Sequence, residues 1–529
     1  MKNKRNKKGY TSNILLCIVF NMICGFIVGL VIFGFKYLAK QIEHSSMWIY
    51  EYSKETVVFI PVVFISLILL AALMYILHVK VPDVKGGGIP RSEGVLRGIL
   101  PIKPVRTFFG TIVGSFISYF AGLPLGTEGP SVIIGTCIGD MCSKTSKKTY
   151  SVDRYIKTGG AAAGFAVATG APFSGVLFAL EEIHKRFTPM LVISVSVSCL
   201  SAMLINLHLC ELCNIDPRLF EFGVFEGLSL KHVLYLAILA ILISLIVLVF
   251  DKTIKFVNNF TSKHTKVFHP LVKLIFVFIV TGILGYVYID CIYSGHDVVH
   301  HVTVNNISIV VLFALLIVRL LMMFILVDSN ATGGIFIPVL AIGAILGAIL
   351  AKLLVLIGLG EEYYSLIVVM TMCAFIGGTL RAPFTACALF LELTLSVDNL
   401  FYVLVVVFIV NVITEVFNEP SFYDRALGKM EHEFYSGKTM EIGHFEVRIS
   451  ENAFVVGKAV RDILWPFSTV VLSVRRHKET ELDMDNDGEK KLYAKDVIVL
   501  RSKYYDEDEV KSKIYKLVGS NYEIKKIEK

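Results

Sequence analysis

Gly126-Thr127-Glu128-Gly129-Pro130 and Gly334-Ile335-Phe336-Ile337-Pro338 are the two stretches that decide the fold. Each is a glycine-bearing loop that ends in a proline at what reads as the first turn of an apolar helix. Gly135 and Gly343 follow five residues after the respective prolines. Further on, Ala171-Pro172-Phe173-Ser174 leads to Leu177-Phe178 and Glu181, and Ala382-Pro383-Phe384-Thr385 leads to Leu389-Phe390 and Glu392. The proline-to-proline distances are 42 and 45 residues, and the two halves are offset by about 210. Interrupted segments at matching places in two halves are how a repeat builds a binding site near the membrane midplane. The pattern predicts an all-α polytopic membrane protein with an inverted internal repeat and broken helices.

Composition agrees with a membrane protein. Of 529 residues, 55% are hydrophobic and 18% charged, against about 25% charged in ordinary soluble domains; a cytosolic enzyme is excluded. Residues 430–529 hold 18 Lys+Arg and 19 Asp+Glu, whereas the first 429 hold 33 and 25. A large membrane body is therefore joined to a small soluble domain. The net charge of +7 sits in the body, where it reads as membrane orientation and not as a nucleic-acid surface.

Lys2, Lys4, Arg5, Lys7 and Lys8 precede the apolar run Ile14 to Phe35. Basic flanks stay cytoplasmic, so the amino terminus is expected inside. The run is too long for a signal peptide and has no small-residue cleavage site. Other apolar runs lie near 57–77, 107–121, 191–206, 232–250, 271–289, 307–327, 334–357, 364–380 and 400–417. Several are too short or too interrupted to cross about 30 Å as one straight helix, and such breaks persist only where they line a cavity or are buried in protein. The ten cysteines are scattered in mostly apolar surroundings, with none in the soluble domain, and read as packing residues. His208 and Cys210-Glu-Leu-Cys213 have the spacing of half a metal site without a second half, and no cofactor is implied.

Glycine before a helix lets backbone approach a ligand, and the free N–H groups at a helix start suit an anion. Gly86-Gly87-Gly88-Ile89-Pro90 is a third loop of this kind. Three in one apolar body point to an anion site. Glu128 is an ionisable group in such a setting, a functional hypothesis by default. From the residues alone it is either that or a carboxylate anchored by nearby N–H groups at an interfacial turn.

With these loops in view, the chain resembles the CLC family of chloride channels and chloride/proton exchangers over about residues 13–428. The family's G-S-G-I-P, G-[KR]-E-G-P and G-x-F-x-P appear as GGGIP (86–90), GTEGP (126–130) and GIFIP (334–338), and Tyr423 in Pro420-Ser421-Phe422-Tyr423 matches a late anion-contacting tyrosine. The resemblance implies anion binding by Gly87, Gly88, Ile89, Gly129, Phe336, Ile337 and Tyr423, with backbone N–H groups from Phe336 and Ile337 whose side chains pack. It implies that Glu128 is the external gate, since a carboxylate can occupy an anion's place and leave on protonation. Exchangers keep a glutamate matching Glu182 as inner proton acceptor; the alternative is an ion pair with Lys185 or Arg186. Glu181 reads as structural, in the place that Glu392 takes in the second half. Chloride, protons and lipid are the implied partners, in a homodimer with one pathway per subunit, at the cell membrane with both termini cytoplasmic. Two departures stand out. Gly87 replaces the family's serine, leaving the choice between chloride and nitrate open. Thr127 replaces Arg or Lys and removes a positive charge from the outer mouth.

After a linker at 429–440, residues 441–520 are expected to form a small α/β (α+β) cytosolic domain, followed by a tail at 521–529. Strands are expected at Phe445–Ile449, Thr469–Val474 and Asp496–Leu500, with helices at Lys458–Leu464 and Asp506–Leu517. The order resembles the RCK (TrkA-type) C-terminal regulatory domain, which dimerises and binds small ligands, cyclic dinucleotides among them. Asp483-Met-Asp485-Asn-Asp487-Gly488 imitates a calcium loop, but its twelfth position is Ala494, so a solvated hairpin tip is expected. Proton-coupled anion exchange is the leading expectation. The alternatives are a passive voltage- or pH-gated channel, or an exchanger preferring nitrate or fluoride. No T-V-G-Y-G potassium filter and no H-E-x-x-H, G-x-S-G or G-x-G-D enzyme motif occurs.

Overall fold

The computed structural model describes residues 2–145, 150–264, 268–304, 307–417, 419–466, 468–476, 488–519 and 524–527. The side chains of Lys2 to Lys8 and the calcium-loop imitation at 483–487 lie outside the described residues. Among these residues, eight helices are long and apolar enough to cross a bilayer, among them Ile14–Glu55 (within the helix Lys2–Glu55), Val57–Lys80, Pro189–Cys213 and Phe336–Leu356. Others are far shorter: Ile89–Arg97, Pro172–Phe178 and Pro383–Thr394 have 9, 7 and 12 residues. At 1.5 Å per residue these reach roughly 10–18 Å, about half a bilayer or less. They are the broken helices the glycine–proline punctuation predicts.

Small residues let the central helices close on one another. The helix Glu128–Thr145 packs on Tyr150–Thr169, where a methyl on Gly135 would stand 2.1 Å from the Gly160 carbonyl oxygen and one on Gly160 2.3 Å from that of Gly135. With lipid as apolar as the side chains, close backbone packing of this kind holds membrane helices together.

The repeat has a reciprocal signature. Glu181 accepts from the N–H groups of Phe384 (3.0 Å) and Thr385 (2.8 Å) and from Thr385 Oγ1 (2.8 Å). Glu392 accepts from Phe173 (2.7 Å), Ser174 (2.8 Å) and Ser174 Oγ (2.6 Å). Each carboxylate thus caps the broken helix of the other half. Gly126 and Gly334 exchange both backbone hydrogen bonds, at 2.6 and 2.8 Å, in an antiparallel bridge. Both exchanges are what a local two-fold axis between the halves produces, and Glu181 is structural.

The carboxy-terminal domain is an antiparallel sheet of β1 (Glu441–Arg448), β2 (Thr469–Arg475), β3 (Val497–Tyr504) and β4 (Lys525–Ile527) in the order β2-β3-β1-β4. Phe445 pairs with Leu500 and Val447 with Ile498, apolar positions that alternate toward one face. The helix Glu507–Val518 buries Val510, Ile514, Leu517 and Val518, and Asp506 caps it by accepting from Asp508 and Glu509. Backbone beyond the expected limits is ordered too: 429–434 continues the helix Phe422–Phe434, and Lys525–Ile527 joins the sheet. One expectation fails. Lys458–Leu464 is no helix beyond a single turn at Val460–Asp462. Its backbone pairs instead with 488–492, through Val460 N–H to Lys490 O, Arg461 N–H to Gly488 O and Leu492 N–H to Lys458 O. Those N–H groups are then unavailable to a helical ladder.

The domain is seated on the body through polar contacts to the segment after Ile89–Arg97. The buried Arg154 guanidinium donates to the carbonyls of Leu96, Leu464 and Trp465, each at 3.0 Å. Lys513 Nζ donates to Gly98 O at 2.8 Å and Tyr435 Oη to Ile99 O at 2.9 Å. The seam is dry enough that burial pushes the Lys458 amine down to about 6; it rests 2.8 Å from the centroid of Phe454 and 3.7 Å from Met190 Sδ.

Candidate functional site

The three glycine loops converge. Gly86 N–H donates to Asn330 O at 2.9 Å and Gly333 N–H to Gly86 O at 3.4 Å, while the Gly126–Gly334 bridge ties the other two loops. Gly88 has φ +80°, and a Cβ there would stand 2.5 Å from the Gly129 carbonyl oxygen; one on Gly129 would lie 1.8 Å from that of Gly87. Only glycine allows this approach. Tyr119 Oη donates to Gly126 O at 2.9 Å and Ser118 Oγ to Thr332 O at 2.6 Å, bracing the loops from behind.

In each helix the first N–H bonded to a backbone carbonyl comes late: Ser92 to Gly88 O, Ser131 to Thr127 O and Val339 to Ile335 O. Pro90, Pro130 and Pro338 have no N–H to place. The N–H groups of Ile89, Gly129, Phe336 and Ile337 therefore have no backbone acceptor among the described residues. Helix-start dipoles and unengaged donors in one buried place make a positive electrostatic pocket built of backbone. The Phe336 ring packs edge-on to Phe165, which stacks on Phe178. Gly87 departs from the family without steric need: a Cβ there would meet nothing closer than 3.6 Å.

Two buried carboxylates stand out, Glu128 at this pocket and Glu182 on a separate segment. Glu128, on the helix that starts at its own residue, is wholly buried; Oε1 accepts from Thr127 Oγ1 at 3.1 Å and Oε2 has no hydrogen-bond partner among the described residues. Glu182 lies where the helix Pro172–Phe178 widens into a π turn over Ala179–Ile183. Such turns recur at functional positions. Here the turn lets Glu181 and Glu182 face different partners. Glu182 Oε1 accepts from Ser421 Oγ at 3.3 Å, and Oε2 again has no hydrogen-bond partner. Lys185 pairs with Asp424, and among the described residues Glu182 forms no ion pair with Lys185 or Arg186. Tyr423 is buried two residues past Ser421, whose hydroxyl reaches Glu182.

Sequence reasoning missed the setting of Glu182. Glu93, three residues after Pro90, is buried and paired with Arg97 at 2.6 Å, and its charge acts on Glu182. Arg97 also donates to the carbonyls of Glu182 (3.1 Å) and Ile183 (2.7 Å). The one available signal was an acid on a short helix at membrane depth. Above Glu128 a cavity of about 380 Å³ is lined by Thr127, Ile337, Lys36 and residues of the loops near 216 and 296.

A family match described as voltage gated chloride channel spans residues 67–415. The H(+)/Cl(-) exchange transporter ClcA of Vibrio parahaemolyticus serotype O3:K6 is 28% identical over 341 residues, covering 62% of this chain and 72% of the relative. That of Salmonella paratyphi B is 27% identical over 345 residues, covering 63% and 71%. Among solved structures, a slow cyanobacterial Cl-/H+ antiporter aligns with TM-score 0.72 at 26% identity, over 79% of this chain and 98% of that one. A eukaryotic CLC transporter shares the fold with TM-score 0.66 at 19% identity, over 80% and 75%.

Proposed function

The chain belongs to the voltage gated chloride channel family, and on that premise we propose that it exchanges chloride for protons across the membrane, Glu128 acting as the gate in the anion path and Glu182 as the inner proton acceptor. One observation carries the reading: Glu128, a wholly buried carboxylate with an unpartnered oxygen, stands among helix-start N–H groups, and a second such carboxylate, Glu182, is buried beside Ser421 on a separate segment. A carboxylate can sit where an anion sits, and protonation discharges it and lets the anion in. The names of the curated relatives and of the solved neighbour at 26% identity support this reading. Gly87, Gly88, Ile89, Gly129, Phe336, Ile337 and Tyr423 contact the anion; the protein is a transporter and not an enzyme.

The protein is a multi-pass membrane protein. We place it in the cell membrane with both termini cytoplasmic, as a homodimer, with residues 13–428 as transport body. The basic flank at Lys2 to Lys8 and the charged domain at 441–520 support that orientation. The domain's likeness to TrkA-type modules supports a regulatory role with a small ligand, cyclic dinucleotides among the candidates. The contacts of Arg154, Lys513 and Tyr435 around 96–99 give such a ligand a direct route to the helix that carries the GGGIP loop.

In liposomes with simultaneous anion and pH recording, an imposed chloride gradient is expected to drive protons uphill. Chloride movement with no proton movement would instead favour the passive channel. Gly87→Ser is expected to raise chloride preference over nitrate roughly tenfold, the worth of one added hydrogen bond to a charged group. Competition flux reads this ratio, and an unchanged ratio would mean the hydroxyl does not reach the anion.

A further inference from the structure

Position 127 carries no charge, and its hydroxyl is engaged by Glu128 Oε1. Beside the acids Glu43, Asp216, Asp290 and Asp297, the wall of the cavity above the gate holds four cations: Lys36, Lys40, Arg218 and Arg319. Three of them serve elsewhere or stand off. The Arg319 guanidinium is buried and donates to the carbonyls of Asp290, Ile292 and Tyr293. Arg218 pairs with Asp216 at 2.8 Å. Lys40 is one helical turn further out and exposed.

Lys36 differs from these. It is half-buried on the first helix, makes no ion pair within 4.0 Å among the described residues, and its Nζ donates to Val167 O at 3.0 Å. That carbonyl belongs to the last turn of the helix Tyr150–Thr169, where a cation is favoured, so the amine is held in place. One hydrogen bond leaves two of its three donors for other acceptors. Lys36 lines the same cavity as Thr127, whose hydroxyl is bonded to the Glu128 carboxylate. Lys36 also lies 19 residues along a continuous helix from Cys17, which bonds to Ser194 in the segment beside the Lys458 seam. At 1.5 Å per residue that is roughly 28 Å, so the cavity opens on the face away from the carboxy-terminal domain.

We propose that Lys36 supplies, from the first helix, the positive charge that position 127 lacks, and that it sets how readily anions reach the Glu128 gate. The inference rests on the reading of Glu128 as a gate in the anion path. A fixed positive charge beside the gate raises the local concentration of anions there, an effect that salt screens. Lys36 is a positioning residue for the anion: it changes the concentration dependence of transport and leaves the exchange chemistry to Glu128 and Glu182.

The test is chloride flux against outer chloride concentration in liposomes, for wild type, Lys36→Met, Lys36→Arg and the double variant Lys36→Met/Thr127→Arg. Lys36→Met is expected to raise the half-saturating chloride concentration about tenfold with the maximal rate within about twofold of wild type. Lys36→Arg and the double variant are expected to return it to near the wild-type value. Adding impermeant salt is expected to shrink the Lys36→Met difference. An unchanged half-saturation in Lys36→Met, or a defect that Thr127→Arg does not relieve, would overturn the proposal, the latter leaving Lys36 as a cap on the Val167 carbonyl. Should Lys36→Met fail to fold, Thr127→Arg and Thr127→Glu in the native chain are expected to lower and raise half-saturation about threefold; equal values would also sink it. The underlying reading fails separately, if Glu128→Ala leaves flux and its pH dependence untouched.

Discussion

Glu182→Gln is expected to separate the two fluxes: proton movement falls to background, by about a hundredfold or more, while chloride still passes at a rate within a few-fold of wild type. Glutamine keeps the shape and can accept from Ser421 Oγ as the carboxylate does at 3.3 Å. It has no titratable proton, and a positioned proton-transfer group contributes about 10²–10⁴-fold to the rate of the step it serves. The anion pocket is made of backbone donors on other segments, so the change leaves it standing. Paired pH and chloride recordings from one liposome preparation decide the matter. Sustained proton transport in Glu182→Gln would remove Glu182 from the proton path and turn attention to Glu93, the buried acid whose charge acts on it.

Glu128→Ala has the other large effect, on pH dependence. In the wild type, acid protonates the gate, the neutral side chain gives up its place and anion flux rises as pH falls. The sign follows from charge alone: the ionised form competes with the anion and the neutral form does not. Alanine removes both forms, so flux is expected to be flat across about pH 4–7, the range where carboxylates titrate at ordinary or raised values, and no longer tied to protons. Burial of the whole side chain means that the substitution also opens space in the path. A profile in Glu128→Ala that still rises toward acid would show that another group is the gate.

The site was legible in the sequence to the extent that its chemistry is local. A helix start needs its glycine and proline within five residues, and GGGIP, GTEGP and GIFIP meet that need inside single stretches. Glu181 and Glu392 were readable as counterparts because the repeat holds their offset. Glu93, Arg97 and Lys36 were not readable, since what they do depends on helices that meet only after folding. Lys36 lies some ninety positions before Glu128 on a different helix, and nothing near either residue announces the other. The Lys458–Leu464 stretch misled for a related reason. Its helix-like pattern is outweighed by pairing with 488–492, across a segment whose length the local sequence does not register.

The Arg154 guanidinium is shared between Leu96 of the body and the Leu464 and Trp465 carbonyls of the carboxy-terminal domain. A chain cut before residue 441 would uncover that guanidinium and exchange two of these three carbonyl acceptors for water, at about 0.5–3 kcal/mol of stability for each hydrogen bond lost. Silence in such a truncated protein would say nothing about signalling, because the cut opens a wound in the body itself. The domain is part of the wall it leans on.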